Sequence, residues 1–489
     1  MNRSIALVLV LAVGCVAACG EDAETIAGPE LSNTRLPRDD RSAVVCHGAG
    51  RHSRLLEVPA SALESHRRHG DYVARLEVDP ADPNIGDGVR FARITDALDV
   101  ARAIRVARNE DESATCRITI DVAPGVFTGS FDPGVSAQLE RFPLLIDVPA
   151  ITMRGAFRMA VDRQGRATGE SRSGQATTLA SDRPIVFSPG TEAMIIVAGH
   201  PGGFRGNDVA IEGFEFRVPS EEGSSGGVGI LSLRVTGLAI LGNRFDPGLT
   251  TGADLRATSA HVTWNFASEL GLNCTLCLAG PGEYVAFGNR LLDNGLGGIY
   301  VSAAVDHLPF SLGAAPVADV EPYVLPAAAS VNAELINNDI RGHVRRPIGF
   351  AVRVLALGPA SSDVRQSSRV TLSGNELTGN TFGLILDAGF PKSGTLLRGD
   401  LDVTLLGNRI AGNCLNNLLV AFTRHTGALG TTTNPYLLDS SYRLSLGGDL
   451  PWSEAWYSHP EGLGNSLRVD GVDIGPGANV AYDPTQLCP

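Results

Sequence analysis

Gly288-Asn289-Arg290-Leu291-Leu292-Asp293-Asn294, running on to Gly298-Ile299-Tyr300-Val301, is the stretch whose reading decides the fold. It recurs as Gly374-Asn375-Glu376-Leu377-Thr378-Gly379-Asn380 before Gly383-Leu384-Ile385-Leu386, and as Gly407-Asn408-Arg409-Ile410-Ala411-Gly412-Asn413 before Leu418-Leu419-Val420. Each copy sets two asparagines five apart around an apolar residue and then enters an apolar strand. Weaker copies begin at Asn243, Asn265 and Asn338, and the steps Asn243 to Asn265 to Asn289 are 22 and 24 residues. A step of that length is one coil of a parallel β-helix. Asparagine suits the corners because it tolerates left-handed backbone angles and bonds its own backbone. Coils stack about 4.8 Å apart, so equivalent amides can bond up and down the stack as a ladder. Leu291, Leu377 and Ile410 would then stack inside. The expectation is an all-β chain, a parallel β-helix solenoid of roughly ten to twelve coils, right-handed by the usual chirality of parallel crossovers.

Upstream of the repeats, Ile94, Ala97, Leu98, Val100, Ala101, Ile104 and Val106 follow helical spacing. The strand-like Ile118-Thr119-Ile120-Asp121-Val122 comes next, then the turn Ala123-Pro124-Gly125. Val122, Pro124, Gly125 and Phe127 match the V-x-P-G-x-[YF] entry of pectin-lyase-like β-helix proteins, which this region resembles. The resemblance implies that the helix caps the open end of the first coil, and that related proteins act on acidic polysaccharides. A cap has a physical reason, since the first coil has an unpaired edge and an uncovered core.

The remaining organisation is read from the N-terminus. Residues 1–19 fit a lipoprotein signal peptide: Arg3, an apolar run from Ile5 to Ala18 too short to span a bilayer, and Val16-Ala17-Ala18-Cys19 as a lipobox. Cys19 is the expected lipidation site, with Cys15 as the weaker candidate, and Gly20 after it favours the outer membrane or cell surface. Residues 20–44, with Glu21, Asp22, Pro29, Pro37 and Arg38-Asp39-Asp40-Arg41, read as a disordered tether. Residues 45–80 read as a small αβ unit rich in Cys and His, and 81–489 as the β-helix. In the small unit, Leu55-Leu56-Glu57-Val58 reads as a strand, Ser61 and Glu64 as a capping box, and Gly70 as the helix end.

Composition narrows the function. The formal net charge is −13, which argues against a nucleic-acid partner, because phosphate binding needs a cationic stripe. Setting aside Cys15 and Cys19 leaves Cys46, Cys116, Cys274, Cys277, Cys414 and Cys488, an even number that permits three disulfides in an oxidising compartment.

Five groups are chemical candidates. Cys46-His47 with His66 and His69 offers ligand types for zinc or another divalent metal, the two histidines standing on one face of the expected helix; Cys46 is alternatively a disulfide partner, of Cys116 among others. The segment resembles a short "CH…HxxHGD" module of bacterial exported proteins. Cys274-Thr275-Leu276-Cys277 reads as structural disulfide cysteines. Long loops leave one corner of the repeat after residues 301, 386 and 420, and bring Asp306, His307, Asp387, Lys392 and Arg424 to one side, where inserts commonly line a binding face. Arg341, His343, Arg345 and Arg346 form a basic cluster, with His343 also readable as a turn residue standing in for the second Asn. Trp452 and Trp456 offer stacking surfaces for sugar rings, or a loop over the last coils.

For a lyase, the residues of choice are Arg345 or Arg346 to neutralise a uronate carboxylate and His307 or Lys392 as base. A hydrolase needs two carboxylates at a set distance, and no adjacent Asp-Asp pair stands on a coil strand. Asp306, Asp387, Arg424, Trp452 and Trp456 are the carbohydrate-binding candidates. The functional expectation is a lipid-anchored envelope protein that binds, and as a polysaccharide lyase or glycoside hydrolase cleaves, polysaccharide. The alternative is a non-catalytic adhesion or scaffold protein that contacts another envelope macromolecule.

Overall fold

The computed structural model describes residues 42–48, 53–82, 87–108, 116–131, 139–182, 193–199, 208–219, 227–271, 274–303, 328–344, 349–357, 365–389, 398–422, 437–459 and 461–478. The expected leader, Cys19 and the tether through residue 41 lie outside them. From Ala43 onward the described residues belong to one compact unit.

Strand patterns in this chain come in two kinds. Arg365–Ser373 alternates exposed and buried residues, so one of its faces meets water. Val228–Leu233 and Ala193–Ala198 are buried throughout, so both of their faces are covered. The two kinds sort into different walls of a parallel β-helix. Three long sheets of fourteen, ten and eleven strands form these walls, here the first, second and third. One coil contributes Ala260–Thr263, Phe266–Ser268 and Cys274–Ala279 to the three walls in turn. The next contributes Gly282–Phe287, Arg290–Leu292 and Gly297–Ser302, each strand pairing parallel with its predecessor.

Because the register repeats, apolar side chains stack in columns. Ile211, Ile240, Val262, Ala286, Leu335, Leu372 and Leu405 form one such column inside the first wall, all buried. The corner between the first and second walls carries the amide ladder. Asn243, Asn265, Asn289, Asn338, Asn375 and Asn408 each donate Nδ2 to the next member, over 3.2, 3.0, 2.9, 2.9 and 2.8 Å, and Asn408 ends the run on Asp449 at 2.8 Å. The three weaker copies read from sequence therefore join the same ladder as the clear ones. A second ladder at the next corner runs Asn294, His343, Asn380, Asn413. His343 occupies an amide's place there, as its spacing from Asn338 suggested.

At the N-terminal end, the helix Ile94–Arg108 buries Ile94, Ala97, Leu98 and Ala101 and packs on Ile118–Val122, Glu140–Arg141 and Leu144–Ile146, strands from all three walls. The Glu140 carboxylate accepts from the amides of Ile94 and Thr95 at 2.7 and 2.9 Å, a favourable place for an anion. Two expectations need correction. The boundary placed near residue 80 falls inside the compact unit, because Arg75–Val78 already pairs with Ile118–Val122 in the first wall. Ser61 does not cap a helix: it lies in the 3-10 turn Ala60–Ala62, and the α-helix Leu63–Arg68 starts after Ala62 without a side-chain cap.

A hairpin, Met159–Val161 with Ala167–Ser171, lies over the outer face of the second wall. Arg166 bonds Glu376 at 2.7 Å across 210 residues of sequence, and Asp162 accepts from Arg290 at 2.8 Å. Asp339, 1% exposed, is held by Arg290 at 2.9 Å and by Arg341.

Candidate functional sites

The third wall is covered on its outside. Outward positions there carry apolar residues such as Ile196, Leu231, Ile385 and Leu419, all buried. Two ion pairs are sunk among them: Arg256 with Asp254 at 2.7 Å and Arg353 with Asp387 at 2.6 Å, every member at most 3% exposed. Asp387 was expected on a sugar-binding corner. Instead its carboxylate lies beneath the surface, 0% exposed and bonded to Arg353, which corrects the assignment to a buried ion pair. Asp306, His307, Arg345, Arg346, Lys392 and Arg424 lie outside the described residues. Trp456 is partly buried, edge-on to Phe382, and Trp452 packs on Tyr457. Both belong to packing at the C-terminal coils.

The first wall is open. Its strands alternate, and their outward residues stand in register. Glu283, Asn332, Arg369, Asp402, Arg443 and Arg468 form one column, with Arg369, Arg443 and Arg468 exposed. Glu334, Thr371, Thr404 and Ser445 form a hydroxyl-rich column beside it. Asp402 lies 3.7 Å from Arg369, and Arg365 grips Asp400 at 2.6 and 2.9 Å. Asp400 and Asp402 leave one strand on the same side. An adjacent Asp-Asp pair is the wrong pattern for a strand, because period two puts residues two apart, not neighbours, on one face.

The second site is a cluster at the N-terminal end of the first wall. Ser42–His47 pairs antiparallel with Tyr72–Val73, with Cys46 opposite Tyr72. That register sets His47 across from Asp71. Gly70, at φ 88°, lets the chain leave the helix in a left-handed turn, and the Asp71 amide folds back to His66 O at 3.1 Å. The result is convergence: His47 Nδ1 and His66 Nδ1 lie 2.7 and 2.6 Å from the same Asp71 Oδ2. Asp71 is buried, and the two rings meet edge to face at 5.8 Å. Burial would raise the Asp71 carboxyl, but the bonds from His47, His66 and the Gly48 amide outweigh it and hold it below the ordinary carboxylate range.

This revises the expected ligand set. Cys46 is in a disulfide with Cys116, so it offers no thiolate. His69 is exposed at the helix C-cap and outside the cluster. His47 and His66 are brought together, and Asp71, absent from the expected set, completes them. Cys274 and Cys277 form the second described disulfide, and Cys414 is disulfide-bonded too.

No protein-family model matches the sequence, and no curated protein matches it. Solved structures similar to it include DFA-IIIase from Arthrobacter chlorophenolicus A6 in complex with GF2, at 14% identity over 83% of this chain and 86% of that one, TM-score 0.34. Another is the A-module of the Azotobacter vinelandii mannuronan C-5 epimerase AlgE6, at 13% identity over 76% and 86%, TM-score 0.27. Likeness at that level says nothing about substrate.

Proposed function

We propose that this chain is an envelope protein, tethered through lipidated Cys19, that binds acidic polysaccharide along the open first wall of its β-helix. One observation carries the reading: the outward column Asn332–Arg369–Asp402–Arg443–Arg468, flanked by Thr371, Thr404 and Ser445. A polymer with a repeating unit is well matched by a surface that repeats polar groups at every coil, about 4.8 Å apart. Exposed guanidiniums of Arg369, Arg443 and Arg468 alternate along this strip with the carboxylates of Glu283, Glu334 and Asp402. Guanidinium forks suit uronate carboxylates, and the hydroxyls suit ring oxygens. The disulfides fit an oxidising compartment outside the cytoplasm.

The same wall names the cleavage chemistry to assay. Asp400 and Asp402 stand two apart on one strand, an acidic pair on the outer face of the wall, so hydrolysis is assayed beside elimination. The test is affinity electrophoresis of the purified protein against polygalacturonate, alginate and neutral glucans, with reducing-end release and unsaturated-product absorbance read in parallel. The reading expects retardation by the acidic polymers and its loss in Arg369→Ala/Arg443→Ala. Equal mobility in every gel would overturn it. Specific recovery of an envelope protein with no glycan binding would favour the adhesion or scaffold alternative.

A further inference from the structure

We propose that His47, His66 and Asp71 form a divalent-metal site of the zinc type, with two imidazole nitrogens, one carboxylate oxygen and a fourth position open to solvent. The cluster is separate from the glycan-binding strip and does not depend on it.

The first ground is convergence. Both Nδ1 atoms point at one oxygen, Asp71 Oδ2, at 2.7 and 2.6 Å, and the three ligand atoms lie within 4.8 Å of one another. A tetrahedral ion with bonds of about 2.0–2.1 Å sets its ligands about 3.3 Å apart. Exchanging the two bridging protons for one ion thus lengthens each Nδ1–Oδ2 separation by about 0.7 Å. The rings can accommodate this: the His47 and His66 side chains are 41% and 24% exposed, whereas Asp71 is 4% exposed and fixed.

The second ground is preorganisation. The Cys46–Cys116 disulfide, the Cys46↔Tyr72 pairing and the left-handed turn at Gly70 place the ligands without help from the ion. Chemistry agrees as well. One carboxylate charge with two neutral imidazoles leaves a bound divalent ion with a net positive charge, and the exposed His47 side opens toward water. Three protein ligands and one open position are the pattern of a zinc site that takes a further ligand, rather than a closed structural one. The competing role is a hydrogen-bonded staple, in which Asp71 merely ties the strand to the turn. The two roles predict opposite behaviour toward metal.

The experiment is isothermal titration of the intact, tag-free protein, stripped with chelator, with zinc chloride. A parallel cobalt titration reads the visible bands of tetrahedral coordination. The variants are His47→Ala, His66→Ala and Asp71→Asn, each checked by far-UV circular dichroism and by a free-thiol count for the Cys46–Cys116 bond. The proposal expects one zinc per chain at micromolar affinity or tighter, tetrahedral cobalt bands, and at least about tenfold weaker binding in each folded variant. His47→Ala removes the most exposed ligand and decides the matter should His66→Ala or Asp71→Asn lose the fold. No zinc binding by the parent, or binding of equal strength in His47→Ala, would overturn the site and leave the staple.

Discussion

Replacing His343 by asparagine should abolish a specific acid sensitivity of the solenoid. In the second corner ladder each amide donates in one direction. Asn380 Oδ1 can only accept, so His343 Nδ1 must carry the proton it shares over 2.8 Å, and His343 Nε2 is left to accept from Asn294 Nδ2 at 3.3 Å. Protonating Nε2 would set two donors face to face in a fully buried corner. Burial is the main cause that lowers this imidazole to about 4, against its bonds to the Asn380 side-chain oxygen and the Arg341 backbone, which favour the charged form. Its folded value lies below its unfolded value near 6.5, so between the two the unfolded chain takes up the proton preferentially. The stability contribution is therefore full above about pH 6.5 and is lost as pH falls toward about 4. At pH 4.5 the loss is about 2–3 kcal/mol. His343→Asn restores an amide and should fall within about 1 kcal/mol of the parent at pH 7. The assay is urea unfolding of both proteins at pH 7 and pH 4.5, compared as a double difference so that every shared carboxylate cancels. The variant should gain about 2–3 kcal/mol on the parent at the lower pH. Parallel pH profiles for the two proteins would refute the assigned tautomer and the ladder role.

Three further outcomes follow from the same geometry. Asn338→Ala removes an amide that accepts from Asn289 and donates to Asn375 and the Ala286 carbonyl, and should cost about 3 kcal/mol in chemical denaturation. Asp387→Ala removes the carboxylate 2.6 Å from the Arg353 guanidinium, 3% exposed, and should cost about 3 kcal/mol, whereas Asp387→Leu with Arg353→Met should recover most of it. Breaking Cys46–Cys116, whose sequence separation is 70, should lower unfolding stability by about 4 kcal/mol on the loop-closure argument, read as the urea midpoint with and without reductant in a Cys46→Ser/Cys116→Ser pair.

The fold was legible because corner chemistry is local. An amide every coil announces the ladder, and Asn243, Asn265 and Asn338 enter it although the rest of their copies is degenerate. His343 was legible for the same reason, by its place in the count. The candidate sites were less so. Helical spacing paired His66 with His69, but the turn at Gly70 sends His69 to solvent and brings Asp71 back instead, a long-range consequence of one positive φ. Asp387 was read into the loop after residue 386, but the strand Phe382–Gly389 runs on through it and sets it at an outward position, and nothing local to it tells an outward face that meets water from one that is covered. The unbroken apolar runs Ala193–Ala198 and Val228–Leu233 held that information for the third wall. The alternation of Arg365–Ser373 held it for the first, and the open wall is where the binding strip lies.

Whether one repeating wall reads a repeating polymer is decided by titrating the purified protein with uronate oligomers of increasing length, from the monosaccharide upward. Affinity should climb with each added residue while the oligomer spans the coils from Asn332 to Arg468, then level off. Affinity that is equal for short and long oligomers, or binding that is unchanged in Arg369→Ala/Arg443→Ala, would contradict it.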